Sequence, residues 1–144
     1  MKEELLKIIE KEKEMCEKGI RLPRVIFRNK ENKKMNVFLI IGGREEIKEA
    51  ISRALSTNID LLIVVFEARY KKFDKEKFKE YKYGDLSKDK EAKDVVIIWG
   101  IEKDENYRVF NVYEDKISKL ELINSFEKEE FDNVLGELSF FGYG

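Results

Sequence analysis

Leu61-Leu62-Ile63-Val64-Val65-Phe66 is an unbroken apolar run, rich in β-branched residues and without a polar position on either side of a two-residue repeat. A run of this kind forms a strand that must be covered on both faces, because alternation leaves it no solvent side. Val95-Val96-Ile97-Ile98-Trp99 repeats the pattern. The helical spacing elsewhere can supply the cover. Leu5, Ile8, Ile9 and Cys16 share one side of residues 2 to 18, with Leu6 and Met15 flanking and Gly19 as the stop. Ile47, Ala50, Ile51, Ala54 and Leu55 recur at helical spacing behind Glu45 and Glu46, predicting a second helix that runs to about Asn58. Asn124 with Glu127 has the form of a helix start, and Phe131, Val134, Leu135 and Leu138 make the stripe of a last helix.

Turn residues divide the remainder. Pro23 precedes a strand from Arg24 to Arg28, the polar run Asn29 to Lys34 turns the chain, and Met35 to Ile41 returns as a second strand ended by Gly42-Gly43. Glu102 to Asn106 joins the Trp99 strand to Tyr107–Tyr113, and Ile117 to Ile123 adds another strand. A short helix around Asp74 to Tyr81 is expected inside the polar segment Lys71 to Asp94. The order α-β-β-α-β-β-β-(β)-α reads as one α+β domain, 1–144, with α/β-like character: a mixed sheet of five or six strands and three main helices. The second strand, its following helix and the Leu61 strand form a βαβ unit, so the two strands should be parallel with their C-terminal ends on one edge. Arg24 and Asp94 should lie at that edge.

Composition removes whole classes of chemistry. The 144 residues contain no histidine, so the commonest general base, the commonest zinc ligand and every Ser-His or Cys-His nucleophile are excluded. The single cysteine, Cys16, forbids an intramolecular disulfide and cysteine-rich metal sites, and its place on an apolar stripe reads as a small buried hydrophobe. No cofactor and no metal site are expected. Charged residues make up 41% of the chain, against a usual value of about 25%. The excess is lysine and glutamate, a thermophile-like pattern that an AT-rich genome also produces. The longest uncharged run, Met35 to Gly43, is far short of a membrane span, and the start Met1-Lys2-Glu3-Glu4 lacks a signal peptide's apolar stretch. A cytoplasmic location is expected, with no membrane partner.

With a net charge of −1, affinity for a polyanion must come from local charge separation. Arg21, Arg24, Arg28, Lys30, Lys33 and Lys34 crowd residues 20 to 34, and lysines interleave with Tyr70, Phe73, Phe78, Tyr81 and Tyr83 further on. Cations with aromatics suit single-stranded nucleic acid. Residues 114 to 137 are acidic, so the molecule should be electrically two-sided. The Gly42-Gly43-Arg44 turn opens a helix, where free N–H groups can receive a phosphate. Glu67 and Arg69 lie on one face where the buried strand leaves the core, outside the carboxyl end where open α/β sheets bind ligands. The expected function is a non-catalytic binding module that engages nucleic acid or another polyanion through Arg24, Gly42, Gly43, Arg44, Glu67, Arg69, Tyr70, Lys71 and Lys72. A protein-interaction or homo-oligomer-forming domain is the alternative. A third reading, an Mg²⁺- or Mn²⁺-dependent phosphodiesterase or nuclease with Glu67 as its catalytic carboxylate, follows from comparing Glu67-x-Arg69 with the Glu-x-Lys of metal-dependent nucleases; the strand Met35–Ile41 lacks the aspartate that pattern needs.

Overall fold

The computed structural model describes residues 2–70 and 93–127. Within them the chain runs α1 (Lys2–Glu17), β1 (Arg24–Asn29), β2 (Met35–Leu39), α2 (Arg44–Leu55), β3 (Ile59–Tyr70), β4 (Lys93–Glu102), β5 (Tyr107–Asp115) and β6 (Leu120–Glu127). Leu5, Ile9, Glu12 and Cys16 are the buried residues of α1, one stripe at three- and four-residue spacing. Gly19 ends the helix at φ +99°, and the bonds from Gly19 N–H to Cys16 and from Ile20 N–H to Met15 close the last turn. A left-handed residue is needed there, and glycine adopts that conformation without the Cβ penalty. Among the described residues no helix is long and apolar enough to cross a membrane.

The strands form one sheet in the order β2-β1-β3-β4-β5-β6, and every neighbouring pair is antiparallel. This corrects the expected mixed sheet. The strands joined through α2 do point the same way, but β1 lies between them and pairs with both, Arg24 standing opposite Leu39 on one side and Val65 on the other. The helix therefore connects two strands that never touch. The C-terminal ends of β2 and β3 nevertheless fall at one end of the sheet, where β1 begins.

Each face of the sheet has its own core. Ile26, Leu61, Ile63, Val65, Val96 and Ile98 pack with Leu5, Ile9 and Cys16 of α1. Val25, Phe27, Leu62, Val64, Phe66, Ile97 and Trp99 pack with Ile47, Ala50 and Ala54 of α2. Strict alternation along β1 and β3 produces this division, as the uninterrupted apolar runs require. α1 sits closest to β4: a Cβ on Gly100 would lie 2.7 Å from Leu5 Cδ1.

Two helices stand among the described residues where three were expected. The expected start of the last helix, Asn124 to Glu127, belongs to β6, with Asn124 opposite Val112 and Phe126 opposite Phe110. The free edge of β5 offers these residues a complete ladder, and that long-range pairing overrides a local cap pattern. The remaining residues of that expected helix and the one around Asp74 to Tyr81 lie outside the described residues.

Candidate functional site

Arg24, Arg44 and Arg69, expected to make a basic edge, share one end of the sheet but not one surface. Arg24 lies on the α1 side. It is 3% exposed, and its Nε donates to Glu12 Oε1 at 2.6 Å while Nη1 donates to the carbonyls of Ile20 and Leu22. A guanidinium committed in this way secures the chain between α1 and β1. Arg69 is on the same side, further along β3, and Nη1 meets Asp94 Oδ1 at 2.8 Å. Arg44 opens α2 on the opposite side, 3.3 Å from Glu45. Each of the three cations faces a carboxylate.

The glycine turn is likewise occupied. Glu46 reaches back so that its Oε2 accepts the Gly43 N–H at 2.8 Å, and its side chain lies so close over Gly42, φ +142°, that a Cβ there would fall 2.6 Å from Glu46 Cδ. The capping carboxylate takes the donor that a phosphate would use. Glu67 is exposed on β3. Tyr70 is buried on the α2 side, where burial pushes its hydroxyl pKa up and Asn124 Nδ2 donates to its oxygen at 2.8 Å. Its ring belongs to the core. Lys71 and Lys72 lie outside the described residues. No group of three or more Cys, Asp or Glu that could hold a metal occurs among the described residues.

The exposed apolar surface is elsewhere, on β2. This strand ends the sheet, and Val37, Leu39 and Ile41 are 52%, 61% and 92% exposed, with Met35 and Leu22 also open to solvent. Hydrogen-bond parity shows which backbone groups face outward. Asn29 N–H donates to Lys34 C=O and Ile40 N–H donates to Pro23 C=O, so the even-numbered residues from Lys34 to Ile40 bond to β1. In an antiparallel ladder the residues between them turn their N–H and C=O away. Met35, Val37 and Leu39 therefore present backbone donors, acceptors and apolar side chains together.

On the α2 side, Phe38 packs against Phe27 with ring centroids 4.9 Å apart and the rings tilted by 54°. A groove of about 480 Å³ opens between β2 and α2, lined by Phe38, Ile40 and Ala50 with Glu46, Glu49 and Arg53 at its rim. Charge, proline and bulges normally protect a sheet edge from pairing. From Met35 to Ile41 there is no charge and no proline, and Asn36 is the sole polar residue. The signal for this site was therefore in the sequence, as the longest uncharged run, but two apolar faces read equally well as a buried strand. No family model, curated protein or solved structure matches the chain.

Proposed function

We propose that this protein is a protein-interaction module whose β2 edge accepts an added strand. The supporting observation is the coincidence at Met35, Val37 and Leu39 of outward backbone groups with exposed apolar side chains. Main-chain hydrogen bonds would give such a contact its affinity, and the alternating side chains with the groove beside α2 would give it selectivity. Binding of a polyanion by Arg24, Arg44 and Arg69 has less support, since each guanidinium already faces a carboxylate.

A photoreactive amino acid placed at Val37, with the same probe at Leu122 on β6 for comparison, tests this reading in living cells. Discrete protein adducts from Val37 and none from Leu122 are expected. An absence of adducts from Val37 would contradict it.

A further inference from the structure

Resting on that reading, we infer that the strand received by β2 is β2 of a second copy, paired antiparallel about a two-fold axis through Phe38. Only the odd-numbered residues of β2 have outward backbone groups, so self-pairing must match odd residues with odd residues. With Phe38 opposite its own copy, Val37 meets Leu39 and Met35 meets Ile41. Every position from Met35 to Ile41 then has an apolar partner except Ile40, which faces Asn36. Shifting the centre to Val37 would place Ile41 against Lys33, and shifting it to Leu39 would place Met35 against Gly43.

Charge selects the orientation. Lys33 and Lys34 precede β2, and the Gly42-Gly43 turn follows it. Parallel pairing would set lysine beside lysine, where like charges oppose one another. The antiparallel register instead brings Lys34 to Gly42 of the other copy. There Glu46 lies across the glycine on the α2 side, the side to which alternation along β2 assigns Lys34. The opposite edge of the sheet is a poorer partner, because β6 carries Glu121, Asn124, Ser125 and Glu127. Pairing like with like also closes the assembly as a dimer with a continuous sheet, whereas β2 against β6 would propagate.

Sedimentation of the purified 144-residue chain, over concentrations from below one micromolar upward, tests the inference. The expected result is a monomer–dimer equilibrium, abolished by Val37→Pro, which removes an outward N–H and leaves the bonds to β1 in place, and independently by Leu39→Lys. Both variants should melt as the dissociated wild-type chain does. Phe38→Cys should form a disulfide-linked dimer on mild oxidation, because facing residues of a non-hydrogen-bonded pair lie about 4.5 Å apart at Cα, within disulfide reach. Asn36→Cys should not, and buried Cys16 should stay silent in both.

A chain that is monomeric at every concentration overturns the inference, as does a dimer that survives both Val37→Pro and Leu39→Lys. A dimer linked through Asn36→Cys and not Phe38→Cys overturns the register. Adducts from Val37 to a different protein, with the purified chain monomeric, overturn self-pairing but keep the edge as an interaction surface. No adduct and no dimer overturn both.

Discussion

Arg24 and Glu12 form an ion pair at 2.6 Å beneath α1, with 3% and 8% of their side chains exposed. Truncating one member of a buried pair strands the other charge, whereas replacing both can be nearly neutral. Glu12→Ala is therefore expected to destabilise the fold by about 3–5 kcal/mol, and Arg24→Met combined with Glu12→Leu by less than Glu12→Ala alone. Urea unfolding of the two variants measures this. Equal losses in both would show that the pair contributes as a bonded unit and not through a stranded charge.

At the far end of β1, Asp60 is 1% exposed and accepts hydrogen bonds from Arg28 and Lys33. Burial pushes its carboxyl up, but the hydrogen bonds and charges of Arg28 and Lys33 outweigh it, so its pKa falls below the usual 3.8. A depressed folded-state value means that the stabilisation is present above the unfolded pKa and is lost as pH falls through the folded one. Stability should hold steady at neutral pH and decline below about pH 4, and Asp60→Asn should flatten that decline. Melting temperatures across an acid series would record it; a wild-type profile that is unchanged by Asp60→Asn would contradict the assignment.

Gly100 and Leu5 set how closely α1 lies on β4. A methyl group at position 100 would press on Leu5 Cδ1 at 2.7 Å and on the Leu62 carbonyl at 3.3 Å. Gly100→Ala should cost about 1–3 kcal/mol through overpacking. Combining it with Leu5→Ala should cost less than the sum of the two single losses, as contacting residues couple. Additive losses in a double-mutant cycle would place the strain elsewhere.

Arg69 and Asp94 make an ion pair at the end of β3, with Asp94 largely exposed. Solvent screens a pair of this kind, so Arg69→Ala should change stability by less than about 1 kcal/mol. A larger loss on thermal unfolding would mark Arg69 as structural, not as a surface charge.

The parts of the fold that could be read from the sequence are those specified by local periodicity. The Leu61 and Val95 runs have no polar face, so their double cover was implied, and the spacing of Ile47, Ala50 and Ala54 allows only one buried side for α2. The position of β1 was not legible, because nothing local to Arg24–Asn29 records that it pairs on both edges. That one insertion separates β2 from β3, makes the sheet antiparallel and leaves β2 outermost. Arg24 was correctly placed at the end of the sheet shared with β3, but its inward rotamer depends on Glu12, a residue whose helical face reads as a neighbour of Leu5 and Ile9 and not as a partner for a cation. β6 was misread in part for the same reason: Asn124 and Glu127 have the spacing of a cap, and only the waiting edge of β5 makes them a strand.

Residue-resolved amide hydrogen exchange of the chain across a concentration series reads the outward groups of β2 one by one. Asn36 and Phe38 amides bond to β1 and should be protected throughout. Val37 and Leu39 amides should exchange rapidly in dilute protein and become protected as concentration rises, giving an alternating pattern that appears with association. Rapid exchange of Val37 and Leu39 at every concentration, or protection that is already complete in the dilute monomer, would rule out association through the outward groups of β2.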